Sequence, residues 1–227
     1  MTHSPVPDEP TVTAAPGGGQ APELDSQLLQ RADGLVREGL GGAAIPVYRE
    51  LLRNEPQQVE ARLHLARLLD QRDEHDEAIS VLTQGLEATH DQTEFLLLRG
   101  SILARRLRYE ESETDLRHLL RLYPSHAPGH FELGMLLWRR GLVIEAAAHF
   151  QRALEFQPDN ARTYYYLADA LNQAGDLVGA HSALKRALQV DPNAAKAYHL
   201  IGRVLDRMGR PEEAREMYCR AKELVRT

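Results

Sequence analysis

Cysteine is nearly missing from this chain of 227 residues, and the lone Cys219 excludes both an intramolecular disulfide and a cysteine-based zinc site. Lysine is almost as scarce: Lys185, Lys196 and Lys222 are the only three, and arginine supplies the rest of the positive charge. The net charge of −6 gives no basic field of the kind a general nucleic-acid binder needs, so no nucleic-acid partner is expected. Long apolar runs are lacking too. No stretch approaches the roughly 20 apolar residues of a membrane span, and the first twenty residues carry no apolar signal-peptide core. A cytoplasmic protein without membrane insertion is the expectation.

Motifs of catalysis are equally lacking. There is no glycine-rich phosphate loop, no strand pattern, and no Ser-His-Asp order with a supporting turn, so no enzyme and no cofactor are expected. The ten histidines offer little more. His126 and His130 are four apart, but Pro128 between them is expected to spoil the helical geometry that paired ligation needs. His64, His118, His149, His181 and His199 lie on separate repeats without carboxylates at ligand spacing. They read as surface or groove residues, and no metal site is expected. Cys219 follows the packed Tyr218 and reads as a free thiol.

What the chain does have is a period. The segment 161–194 reads as a helical hairpin: Tyr164, Leu167, Ala168 and Leu171 form one apolar face, Gly175-Asp176 a turn, and Ala180, Leu184, Ala187 and Leu188 a second face before Pro192. Such a pair cannot bury its own apolar faces and needs copies on either side. They occur every 34 residues, giving repeats 25–58, 59–92, 93–126, 127–160, 161–194 and 195–227 without insertion or deletion. The eighth place is always small (Ala32, Ala66, Gly100, Gly134, Ala168, Gly202) and the eleventh always leucine. The twentieth is Ala or Ser, and the twenty-fourth always large (Tyr48, Leu82, Leu116, Phe150, Leu184, Tyr218).

This pattern resembles the tetratricopeptide repeat family. The resemblance implies an all-α fold, a right-handed superhelical solenoid of six antiparallel helix pairs whose first helices line a concave groove. Residues 1–24, with five prolines and Gly17-Gly18-Gly19, read as a disordered tail ahead of it. In the first repeat, glycines at 34, 39, 41 and 42 weaken helix, and Pro46 places the start of the second helix near Ile45. Asn160 and Asn193, just after the closing prolines, read as helix caps. In the last repeat Lys222 replaces the leucine found at the twenty-eighth place of the other five. It reads as a solvated cap, so a monomer is expected, with weak self-association through the C-terminal repeat as the alternative.

By resemblance, the second, fifth, ninth and twelfth places of each repeat face the groove, where this family binds protein or peptide partners. An aromatic floor of Phe131, Met135, Trp138 and Tyr165 is expected there, flanked by Arg67, Arg105, Arg139, Asp169, His199 and Arg203. The Arg105-Arg106 and Arg139-Arg140 pairs read either as helix C-terminal charges or as a basic groove edge. The branch of the family that grips heat-shock chaperone carboxylates uses lysine at the fifth place and asparagine at the ninth, and no repeat here has either. The sequence thus points to a non-catalytic interaction scaffold or adaptor that holds an extended or helical segment. The alternative is a chaperone or escort shielding an aggregation-prone client.

Overall fold

The structure, a computed structural model, describes residues 21–226, with side chains over 25–225. The described residues form twelve helices in six antiparallel pairs and no strand. The order is α1 (Ala21–Arg37), α2 (Gly41–Asn54), α3 (Val59–Gln71), α4 (His75–Ala88), α5 (Thr93–Arg105), α6 (Tyr109–Leu122), α7 (Ala127–Arg139), α8 (Val143–Phe156), α9 (Ala161–Ala174), α10 (Leu177–Val190), α11 (Ala195–Arg207) and α12 (Pro211–Arg226). Each helix packs on its sequence neighbours, and first helices also touch across repeats (α3 with α5, α5 with α7, α7 with α9, α9 with α11). The first helices therefore form the inner wall of the solenoid. None of these helices is long and apolar enough to cross a membrane.

Side-chain size explains how each hairpin closes. A Cβ added to Gly134 at the eighth place would lie 2.7 Å from Phe150 at the twenty-fourth, and one on Gly202 would lie 2.5 Å from Tyr218. The ring of the second helix thus rests on the bare backbone of the first. The turn between the helices is equally regular. Its fifteenth place has a positive φ in every repeat: Gly39 (77°), Asp73 (63°), Leu107 (62°), Gly141 (77°), Gly175 (90°) and Gly209 (75°). Four repeats meet that requirement with glycine, the residue without a steric penalty there. Leu107, 68% exposed, meets it against its own Cβ.

Several local expectations are corrected. Helix α1 begins at Ala21, four residues before the repeat frame and inside the stretch read as a tail; the remainder of that expectation, residues 1–20, lies outside the described residues. Helix α2 begins at Gly41 and carries Pro46 in its interior rather than in its first turn. An interior proline costs about 3 kcal/mol. Burial of Ala44, Ile45, Val47, Tyr48 and Leu51 outweighs that, since a fully buried large apolar side chain contributes about 1.5–3 kcal/mol. Asn160 caps α9 by accepting from the Thr163 N–H, but Asn193 caps nothing. It falls one place early, the cap position of α11 is Ala194, and the Asn193 N–H is held by Asp191. Pro128 does not break α7, because it sits in the first turn, and His126 Nδ1 caps that helix by accepting from the Gly129 N–H.

His130 and His149 correct the reading of the histidines as surface groups. His130 is 9% exposed, its Nε2 lies 3.0 Å from the Pro124 carbonyl, and its Nδ1 lies 3.1 Å from Nδ1 of His149. With Nε2–H donating to Pro124, the free Nδ1 lone pair of His130 accepts from His149 Nδ1–H. Burial, then the proximity of His130 and Arg117, pushes His149 down to about 4.

Two measurements follow from this geometry. The folded-state value of His149 lies below the unfolded value of about 6.5, so the unfolded chain takes up the proton first. The contribution is therefore intact above pH 6.5 and lost as pH falls toward 4; His149→Leu is expected to flatten that part of a melting-temperature profile, and an unchanged slope would refute the pairing. At the turn, Leu107→Gly removes a left-handed penalty of about 1–2 kcal/mol against a glycine entropy cost of about 0.5–1 kcal/mol. A net stabilisation of about 0.5–1 kcal/mol is expected in urea unfolding, and a smaller one for Asp73→Gly, because aspartate tolerates positive φ better.

Candidate functional site

The inner wall carries a concave pocket of about 470 Å³ where α7, α9 and α11 meet. Trp138, Tyr165 and Tyr166 form its aromatic part, Arg162, Asp169, Asp191 and Lys196 its polar rim, and Ala161, Ala194 and Ala197 leave the space open. Tyr166 is the hub of the ring cluster. Its centroid lies 5.4 Å from Tyr165, 5.7 Å from Trp138, 5.9 Å from Phe131 and 6.0 Å from Phe150. Three of these contacts are edge-on or nearly so, which suits the ring quadrupoles.

Polar contacts fix the rim. Asp169 Oδ2 accepts from Trp138 Nε1 at 2.9 Å and from Gln173 Nε2 at 2.7 Å, so the indole cannot swing into the pocket. The Arg162 guanidinium lies 4.8 Å above the Phe131 ring, shielding it from the groove. Burial, then the charge of Asp169 and the neighbouring Tyr166, pushes the Tyr165 phenol up, which keeps it a protonated donor.

Of the residues expected in the groove, Trp138, Tyr165 and Asp169 converge on this pocket. Phe131 and Met135 do not line it. They are 9% and 5% exposed and belong to the core, because Tyr166 and Arg162 of the next repeat cover Phe131. Arg67 is exposed at a separate hollow of about 360 Å³ beside Asp33 and His64, and it pairs with Glu94 at 3.2 Å. Arg105 pairs with Asp70 of the preceding repeat. Arg139 is exposed and makes no ion pair among the described residues. His199 packs against Tyr218 (centroids 5.3 Å apart) in a hollow at the C-terminal end with Lys222. Arg203 is exposed, near enough to Tyr165 for its charge to oppose the rise of that phenol.

Arg162, Tyr166 and Lys196 are the site residues that the sequence reading missed. Arg162 and Lys196 hold the second place of repeats five and six, a groove-facing place whose occupants change from Glu60 and Glu94 to these cations. That row alone would have identified them. Tyr166, at the sixth place, gave no comparable signal.

One group among the described residues has metal-ligand proximity: Asp33, Glu60 and His64 offer ligand atoms all within 4.8 Å of one another. His64 thus does have carboxylate neighbours: Glu60, four residues before it on α3 and within reach of the sequence reading, and Asp33, brought from α1. Asp33 Oδ1 already accepts from the Tyr48 phenol at 2.5 Å and from His64 Nδ1 at 3.1 Å. Burial and this bond to Asp33 push the Tyr48 phenol well up, so it remains a donor. The network accounts for the contacts as they stand.

No curated protein matches the sequence significantly. Solved structures do share its architecture. PilF of Pseudomonas aeruginosa superposes with a TM-score of 0.77 at 20% identity, over 90% of this chain and 93% of that one. PilW, described as a widely conserved type IV pilus biogenesis factor, gives 0.76 at 23% identity, over 86% and 90%. YrrB, described as having an unusual peptide-binding site, gives 0.63 at 20% identity, over 78% and 91%. At these identities the likeness concerns the fold. Tetratricopeptide repeat profiles match the sequence itself, one over residues 35–102 and 171–223, others over 97–161 and 149–182. With more than half of its residues matched by a single profile and six hairpins in phase, the chain belongs to the tetratricopeptide repeat family.

Proposed function

We propose that this protein is a non-catalytic interaction scaffold that holds an extended or helical segment of a protein partner in its concave groove. The carrying observation is the pocket around Trp138, Tyr165 and Tyr166, whose aromatic wall stays half-buried while its rim bears Arg162 and Lys196. Burying an apolar partner side chain there contributes about 25 cal/mol per Å² before ordering costs. Arg162 and Lys196 share that rim with Asp169 and Asp191, and an acidic partner residue beside the apolar anchor would pair with the cations, since charge complementarity selects and steers the partner. YrrB, of the same fold, is described with a peptide-binding site, which supports peptide recognition as the use of such a surface.

The escort alternative calls for a broad apolar surface that tolerates many unfolded clients. The polar rim and the fixed indole favour one defined segment instead. Selection from a displayed peptide library, followed by titration of the chosen peptide against Trp138 fluorescence, tests the reading. Tyr165→Ala is expected to weaken binding by about 1–3 kcal/mol, as truncation of hot-spot aromatics does. Lys196→Glu is expected to weaken peptides with an acidic residue beside the apolar anchor more than peptides without one. Gln151→Ala and Arg186→Ala, on second helices, are expected to stay within about 0.5 kcal/mol. Phe131→Ala and Met135→Ala belong to the core and are expected to lower thermal stability. Normal binding by folded Tyr165→Ala, with loss in the second-helix variants, would move the site to the convex face.

A further inference from the structure

The fourth place of the six repeats holds Leu28, Arg62, Leu96, His130, Tyr164 and Tyr198, and one of these is a buried permanent charge. Leu28 and Leu96, in repeats one and three, fill that place at 7% and 2% exposure. Between them, in repeat two, stands Arg62, 6% exposed. Its guanidinium has no carboxylate partner among the described residues. NH1 donates to Gln84 Oε1 at 3.1 Å and NH2 to the Pro56 carbonyl, both neutral. Taking a charge out of water without a counter-charge is costly, and hydrophobic residues of similar volume commonly serve a protein's stability as well or better. Leucine in the flanking repeats shows that the fold accepts one here.

A purely structural account is at hand and falls short. In repeat four His130, also at the fourth place, sits against the Pro124 carbonyl as Arg62 sits against Pro56. That contact needs one neutral donor. It explains neither a permanent charge nor the arginines gathered around it. Arg62 faces a hollow of about 600 Å³ between the second helices α2 and α4, on the side away from the groove, whose wall also carries Arg49, Arg53 and Ser80. Arg49 is paired with Glu77, while Arg53 donates only to the Arg49 carbonyl and makes no ion pair among the described residues. The Nε of Arg62 has no hydrogen-bond partner among those residues, yet no buried side-chain nitrogen or oxygen among them is left unsatisfied. That N–H therefore keeps some exposure, on a side chain that lines the hollow. Three guanidinium groups against the single carboxylate of Glu77 leave an excess of two positive charges.

We propose that this hollow is an anion site for a phosphate monoester group, with Arg62 as its buried anchor and Arg53 as its outer clamp. A phosphate dianion matches the charge excess, and its oxygens match the planar fork of arginine. The apolar base formed by Leu52, Leu65 and Val81 leaves room for the carbon skeleton that carries the phosphate.

Melting temperature and calorimetric titration in inorganic phosphate, against chloride of equal ionic strength, test this directly. Phosphate is expected to stabilise the wild-type chain beyond chloride, and Arg53→Gln to weaken the apparent affinity about tenfold, as loss of one charged hydrogen bond does. Arg62→Met is expected to abolish the phosphate response, while Arg215→Gln, on α12, keeps it. A phosphoserine peptide that binds tighter than inorganic phosphate would assign the site to a modified protein, and the reverse order to a small phosphorylated molecule. Equal behaviour of the wild type in phosphate, phosphopeptide and chloride would overturn the proposal, as would an undiminished response in both arginine variants. Arg53 is exposed, so Arg53→Gln decides the matter if Arg62→Met does not fold. Tyr165→Ala must leave the phosphate response unchanged, which separates this site from the groove.

Discussion

Everything in this solenoid depends on one close approach: a large side chain on each second helix resting on a small residue of the first. Phe150 above Gly134 and Tyr218 above Gly202 leave no space for even a methyl group. That contact sets the distance between the arms, and the arm distance sets where the next first helix can lie. Because the contact recurs at a fixed place, the first helices line up along the inner wall and their outward places become rows. The groove is thus a consequence of hairpin closure rather than a separately built feature.

Polar contacts divide the wall into unequal parts. The apolar core falls into two clusters, one running from Leu28 to Leu103 and the other from Ala104 to Ala214. Near the division, Arg99 meets Asp115 in a two-pronged ion pair at 2.7 Å, and Ser112 donates to the Gly100 carbonyl. Leaving either partner of such a buried pair alone would strand a charge, so the pair fixes the geometry of repeat three more than it adds stability. The hollow with Asp33 and His64 lies on one side of this division, the aromatic pocket on the other.

The repeat architecture was fully legible because its signals are periodic: a small eighth place, a leucine at the eleventh and a bulky twenty-fourth report packing six times over. The groove was legible only in part. Tyr165 and Phe131 occupy the same place one repeat apart, yet one is half-buried and the other in the core. The difference lies in what the next repeat supplies. Arg162 and Tyr166 cover Phe131, whereas the same places in repeat six hold Lys196 and Leu200, which bring no ring over Tyr165. Exposure at a groove place is therefore a property of two repeats, and reading each frame alone could not yield it. Asn193 failed for a simpler reason, a shift of one residue from the cap position.

The thirteenth place shows how a repeat binds its predecessor and where that binding stops. Arg105 reaches back to Asp70, and Arg207 reaches back to Asn172, donating to both its backbone and side-chain oxygens. Each contact runs from the thirteenth place of one repeat to the twelfth of the one before. Arg139 holds the same place in repeat four, but the twelfth place before it is Ala104, which offers no side-chain acceptor. Its neighbour Arg140 pairs with Glu113 instead, leaving Arg139 without an ion pair among the described residues. The one interrupted clasp of these three thus falls beside Trp138, next to the aromatic pocket. The buried methyl of Ala104 offers no acceptor, so Arg139, one residue after Trp138 at the end of α7, stays exposed and unclasped.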